Sequence, residues 1–437
     1  MGPIHKFVFF IILLFSIIGG AQSQDAYQKR VLETTEVDLL SSYYSQDGDN
    51  AAVSGGLGSE ELTDATAGII VSIPLNADDI LTIDTGISAY TSASSSNVDP
   101  FDGNDPADPF IASSGASSND LWANMTGSYS HSSDDRNDIW SAKLSVSSEY
   151  DYFSVGFGGS YAKLFNDRNT EVSLNGNVYL DSWKIIYPME LRPFVDGADG
   201  LNNGFFIQNT ITGNTDYAPS FSELDKQNRN SYSLGAGFSQ ILSENVQASL
   251  SLDYVQQQGL LSTPFQRVYF NDVDPSFIDG FRLADDVERL PSSRSKIALG
   301  GRLNYFINAS LTLRSYYRYY VDDWGITSHT ASLEIPVKIG DLFTLYPSYR
   351  YYRQTAADQF AQFGEHLSSS EFHTSDYDLS AYSADQFGFG IRYTDILTRS
   401  QLWKLGLKAI DLKFNHYKRN TGLQATMVTA SFTFLVL

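Results

Sequence analysis

From Lys296 to Leu437 the chain alternates, with apolar side chains at one parity and charged or small polar ones at the other. The alternation comes in strand-length segments separated by turn residues. A period of two fits β-strands and argues against amphipathic helix. In a soluble sandwich the apolar parity would face a core. Here Arg, Lys and Glu recur at the opposite parity on strand after strand, which is the dyad repeat of a transmembrane barrel. In hydrocarbon an unpaired backbone group costs several kcal/mol, and a sheet avoids that cost only by closing on itself.

The N-terminus points to the same compartment. Lys6 precedes an apolar run from Phe7 to Ile18, broken only by Ser16, and then come Gly19, Gly20, Ala21, Gln22 and Ser23. Charged, then apolar, then small is the order of a secretory signal peptide, cut near Ser23. Residues 1–23 are therefore expected as leader and 24–437 as one barrel domain of the bacterial outer membrane. The run is too short to span a bilayer, and no later stretch reaches about 18 consecutive apolar residues. Cysteine is absent, so no disulfide holds the exported chain, and a closed hydrogen-bonded barrel can take that role. With 51 acidic and 29 basic residues the net charge is −22, which excludes nucleic acid as a partner. The 27 Tyr and 28 Phe suit rings placed at a membrane interface.

Sixteen antiparallel strands of an up-and-down barrel are expected, with 14–18 as the range. They fall at 35–46, 62–75, 80–93, 121–132, 138–149, 152–163, 169–182, 229–242, 246–257, 296–306, 310–321, 327–339, 342–354, 386–395, 403–417 and 421–437. Starting from a periplasmic N-terminus, the long excursions 94–120, 183–228, 258–295 and 355–385 all reach the external side. The periplasmic connections are then all short, the usual asymmetry of such barrels. A rival reading is a large soluble antiparallel β protein of the bacterial surface. Internal repeats are lacking, which speaks against solenoids and propellers.

Parity assigns faces. Ile297, Leu299, Leu303 and Tyr305 take the lipid side, while Lys296, Arg302 and Asn304 take the lumen. Leu313, Tyr317 and Tyr319 oppose Arg314, Arg318 and Tyr320; Leu333 opposes Glu334; Tyr349 opposes Arg350; Phe389 opposes Arg392. After Ala409 the parity flips to Ile410, Leu412 and Phe414, which predicts a β-bulge. Strands nearer the N-terminus carry a smaller interior, as in Ser154, Gly156 and Gly158. An Arg on the lipid face at mid-membrane costs about 2–4 kcal/mol. Several such costs exceed the total stability of most domains, about 5–15 kcal/mol. Arg302, Arg314, Arg318, Lys338, Arg350, Arg392, Lys404 and Lys408 are therefore candidates for the lumen wall, with Asp253, Asp322, Glu334 and Asp411 as counter-charges. They form either an electropositive path for anions or an internal charge ladder packed against an inserted loop such as 183–228.

Other polar clusters argue weakly. Asp99, Asp102, Asp105, Asp108 and Asp120 lie in one loop, and Asp272, Asp274, Asp279, Asp285, Asp286 and Glu288 in another. Their spacing does not match a twelve-residue calcium loop, which favours solvated surface charge over a cation site. His366 and His373 with Glu365, Glu371 and Asp376 likewise favour a solvated loop over a metal site. Asp322, Asp323 and His329 could activate a water in an outer-membrane hydrolase. However, His329 shares the parity of Leu333, and a tight hairpin around Gly325 accounts for the segment. No catalytic residue, metal or cofactor is expected, and no phosphate loop, nucleophile elbow or zinc-protease motif occurs.

Three stretches carry a resemblance: "LPSSRSKIALGGRLNYF", then "RYYVDDWGITSHTASLEIPVKIGDLFTLYPSYRYYRQTAADQF" from Arg318 to Phe360, and "TSDYDLSAYSADQFGFGIRY" from Thr374 to Tyr393. Over about the last 150 residues the chain resembles a bacterial outer-membrane family known only as a domain of unknown function (number thirty-five seventy). The resemblance implies a barrel and its location, with no activity to carry over. The chain ends in "SFTFLVL", with Leu437 where such barrels usually end in an aromatic, and Phe432 and Phe434 nearby. The expected function is a channel or binding barrel for polar solutes, anions among them, in contact with outer-membrane lipid. A loop-plugged barrel that scaffolds envelope protein partners is the alternative.

Overall fold

The computed structural model describes residues 30–91, 119–184, 187–188, 190–223, 226–395 and 397–437. The leader and the acidic residues Asp99, Asp102, Asp105 and Asp108 lie outside the described residues. The sixteen wall strands are β1 (Glu36–Asp47), β2 (Leu62–Pro74), β3 (Asp79–Thr91), β4 (Asn119–Ser132), β5 (Asp138–Ser148), β6 (Tyr152–Phe165), β7 (Thr170–Trp183) and β8 (Gln227–Ser243). They continue as β9 (Val246–Gly259), β10 (Ser293–Asn308), β11 (Leu311–Asp322), β12 (Thr327–Glu334), β13 (Phe343–Gln354), β14 (Tyr382–Thr394), β15 (Leu405–Arg419) and β16 (Gln424–Val436). A break at Ile335 and Pro336 separates β12 from its continuation, Val337–Ile339. Proline has no N–H to give to the ladder.

Each strand runs antiparallel to the next, and β16 pairs with β1, Asp47 opposite Gln424 and Glu36 opposite Leu435. The sheet therefore has no free edge. Directly opposed residues share a face, so the register can be followed around the ring. Arg302 faces Tyr316, which faces Ser332, which faces Arg350, which faces Gln386. The series continues through Tyr417, Ala425 and Gln46 and closes on one interior set. The other set exposes a belt of large apolar side chains, among them Leu144, Phe157, Leu174, Leu234, Leu250, Leu299, Phe387 and Phe414. Such a continuous exposed apolar surface is stable only against lipid. Among the described residues no helix is long and apolar enough to cross a membrane; the crossing elements are strands.

Local chemistry explains the irregularities. The register shifts between Leu407 and Ala409, so Lys408 is the extra residue of a bulge and the parity change predicted there is observed. On the small-residue side of the wall, a β-carbon on Gly156 would come within 2.6 Å of the Tyr179 ring. Glycine is what lets that ring lie across the strand.

At one end the connections are the short turns 75–78, 133–137, 166–169, 244–245, 309–310 and 340–342, and the longer 395–404. At the other, segments 48–61, 184–226, 260–292 and 355–381 fold together into a packed roof. Its core joins Tyr187, Leu191, Phe194, Phe206, Tyr217 and Phe221 to Tyr269, Ile278, Leu283 and Val287. Phe194 stands edge-on to Tyr217 at 5.1 Å, and Tyr269 meets Phe363 at 4.5 Å. Ile211–Gly213 pairs with Ser276–Ile278 to make a small sheet across two of the segments.

Candidate functional site

The interior face of the wall carries most of the candidate cations. Arg302 lies opposite Ser249 and Tyr316, Arg318 opposite Gly300 and Thr330, and Arg350 opposite Ser332 and Gln386. Lys338, on the continuation of β12, faces Thr344. All of these partners are neutral. The guanidinium of Arg302 sits 5.6 Å from the centre of the Tyr316 ring. Other cations meet carboxylates: Arg314 reaches Glu334 at 2.9 Å, Arg392 reaches Asp411 at 3.6 Å, and Lys408 reaches Glu36 at 2.7 Å. Asp253 lies opposite Gly235 and Ala298, away from any basic partner in register.

Two assignments differ from the sequence reading. Lys404 precedes β15, in the connection where Trp403 takes φ of 58°, and its carbonyl accepts from the Leu437 N–H. It is a turn residue because the strand begins only at Leu405. Asp322 is bound not to one of the eight candidate cations but to Arg294, at 2.5 Å. The parity rule, extended along the chain, also places Lys143, Arg229, Arg294, Lys413 and Arg419 on the interior face. Arg294 and Arg419 were missed because their strands run two or three residues past the apolar alternation, whereas Lys143, Arg229 and Lys413 lie inside strands already expected.

Asp322 and His329 stand on opposite faces of the wall. Asp322 accepts from Arg294, from the Tyr320 hydroxyl at 2.7 Å, and from the N–H groups of Trp324 and Ile326. His329 is on the belt face, its Nδ1 2.6 Å from the Tyr317 hydroxyl. No acid–histidine pair is assembled there. Asp322 instead closes the 323–326 turn, where Gly325 takes φ of 88°.

The acidic loop and the histidine loop are corrected more strongly. Both are expected to be solvated; Asp272, Asp274, Asp279, Glu365 and Glu371 are indeed exposed, but other members pack into the roof. Glu288, His366 and His373 are buried. Glu288 accepts from the Thr263 N–H at 2.7 Å and from the Thr374 hydroxyl at 2.5 Å, joining two roof segments. Burial, reinforced by Asp376, pushes its carboxyl up to about 8. The Asp376 carboxyl is also raised, by burial and by Asp378 beside it. His373 Nε2 lies 3.1 Å from the Val287 carbonyl and 3.4 Å from Asp286. Burial and the neighbouring His373 hold the His366 imidazole below its usual range. Among the described residues no cluster of three or more potential ligands could hold a metal ion.

One buried contact escaped the sequence altogether. Arg267 and Glu190, each 1% exposed, pair twice, at 2.7 Å and 3.2 Å. Arg267 also donates to the Val53 carbonyl at 2.8 Å, so one guanidinium ties three of the four roof segments. The roof is in turn held to the interior wall. The Gln354 amide donates to the carbonyls of Asp378 and Ser380, and Arg419 pairs with Asp378 at 2.6 Å.

No curated protein matches the sequence. Among solved structures, a bacterial polysaccharide outer membrane secretin is 11% identical, with a TM-score of 0.45 over 92% of this chain and 98% of that one. A deltaS2 mutant of the monoaromatic hydrocarbon channel TodX is 8% identical, with a TM-score of 0.38 over 92% and 90%. The siderophore receptor PirA from Acinetobacter baumannii is 12% identical, with a TM-score of 0.41 over 89% of this chain and 54% of that one. The barrel reading rests on the pairing ladder above and not on these likenesses. Residues 20–430 match the family model described as protein of unknown function (DUF3570), and the chain belongs to that family.

Proposed function

We propose that this barrel binds and passes small polar anions along its interior, beneath a roof that limits what enters. The observation that carries the reading is the set Arg302, Arg318, Lys338 and Arg350, which face neutral partners across the ladder. A purely structural charge ladder would pair its cations, as Arg314 and Arg392 are paired. Unpaired cations in a narrow low-dielectric path concentrate anions and set pore selectivity. The contrast with the net charge of −22 for the whole chain makes the local excess chemically specific. Planar-bilayer recording of the purified protein under a salt gradient tests this. The reversal potential should report anion preference, and neutralising Arg302, Arg318 and Arg350 to Gln together should remove it. No conductance, or cation preference, would overturn the open path.

The buried Arg267–Glu190 pair and the aromatic core around it support a second reading, a plugged barrel that scaffolds envelope proteins. That reading expects a silent bilayer and a protein partner that co-purifies from the envelope.

A further inference from the structure

We infer that a cavity inside the wall, directly beneath the roof segment 376–380, binds a hydroxylated carboxylate of the sugar-acid type. The cavity has a volume of about 350 Å³ and is lined by Arg350, Tyr352, Tyr382, Ala384, Gln386 and Tyr417. That is at the lower end of small-molecule sites, about 300–1,000 Å³.

Three features define its ligand. The first is charge. Around this part of the wall Arg314, Arg392 and Arg419 each have a carboxylate, at 2.9 Å, 3.6 Å and 2.6 Å. Arg350 has Ser332 and Gln386 as its cross-strand neighbours. Its planar fork is the group that matches a carboxylate with two parallel hydrogen bonds.

The second is the supply of unspent hydrogen-bonding groups. The Tyr417 hydroxyl oxygen accepts from Arg419 Nε at 2.9 Å, which leaves its proton to donate. Gln386 donates through its amide nitrogen to Asn415 at 3.1 Å, which leaves its carbonyl oxygen to accept. A ligand with hydroxyl groups can use both, one as acceptor and one as donor.

The third feature is the state of the rings. Tyr352 and Tyr382 lie 5.5 Å apart, and the Arg419 guanidinium covers Tyr382 at 4.4 Å. Those ring faces are already taken. The cavity offers ring edges and polar groups rather than a slot for a flat aromatic acid. Gln354 fixes the ceiling, accepting the Tyr352 proton at 2.6 Å while its amide holds the carbonyls of Asp378 and Ser380.

The inference rests on the anion-path reading but is tested apart from it. Detergent-purified full-length barrel is titrated calorimetrically with D-glucuronate, with glucose and with acetate. Glucuronate should saturate a single site, with glucose and acetate each weaker by about tenfold or more. Arg350→Gln should weaken glucuronate by about tenfold or more without changing the response to glucose. Ala384→Leu, which fills the cavity and leaves every charge in place, should abolish saturation. No glucuronate binding by the wild type, equal affinity for glucose, or an unchanged Arg350→Gln titration would each overturn the site. An anion-selective conductance with a flat glucuronate titration overturns this inference alone; glucuronate binding in a silent barrel supports it and overturns only the pore.

Discussion

In the wall, Arg314 reaches Glu334 because both occupy the same face of adjacent strands. In the roof, Arg267 reaches Glu190 across 77 positions of chain with no repeat linking them. The wall pair is partly exposed, whereas the roof pair is almost fully enclosed. The difference separates two kinds of order. Wall order is periodic and set by oil on one side and water on the other. Roof order is that of a small globular core, where each buried polar group needs its own partner.

The largest effect expected from breaking this contrast is on the roof. Glu190→Ala removes the carboxylate that pairs twice with the buried Arg267, at a cost of about 3–5 kcal/mol. Limited proteolysis should cut within 184–226 and 260–292, while heat-modifiable migration of the barrel stays normal. Simultaneous loss of both signals would mean that wall and roof are one cooperative unit. Next, Leu299→Arg at the centre of β10 places a cation on the belt face. It should destabilise the barrel by about 2–4 kcal/mol, measured by urea unfolding in lipid vesicles, whereas Gly300→Arg, on the interior face, should not incur that lipid cost.

The third effect is a pH dependence confined to the roof. Glu288 ionises near 4.5 in an unfolded chain and at about 8 in the roof. Its contribution to stability is therefore complete below about pH 4.5 and declines as pH rises to about 8. His366, held below 6.5, has the opposite sign and acts only as pH falls below that value. Asp376, raised like Glu288, adds in the same direction. Between pH 7 and 8 the roof should lose about 1 kcal/mol, seen as faster proteolysis of its segments, and Glu288→Gln should remove most of that slope. An identical slope in the variant would show that another group titrates.

The same contrast explains what the sequence could tell. Lipid on one side and water on the other impose a two-residue period, so strand positions, faces and even the bulge at Lys408 were legible. Strand ends were less so: Arg294 and Arg419 lie where β10 and β15 run past the apolar pattern, and Lys404 lies in a turn before β15. The roof has no period. Glu288, His366 and His373 read as polar loop residues until the fold showed what surrounds them. The cavity at Arg350 needed three strands and a roof segment in register before its unspent groups could be seen.

The chain has no cysteine, so single cysteines can be placed along β11 from Leu313 to Tyr320 without a background. In lipid vesicles a membrane-impermeant thiol reagent should label positions 314, 316, 318 and 320 and spare 313, 317 and 319, the strict alternation of a wall between water and acyl chains. Uniform labelling, or labelling of the odd positions in place of the even ones, would contradict the barrel's assigned faces and everything built on them.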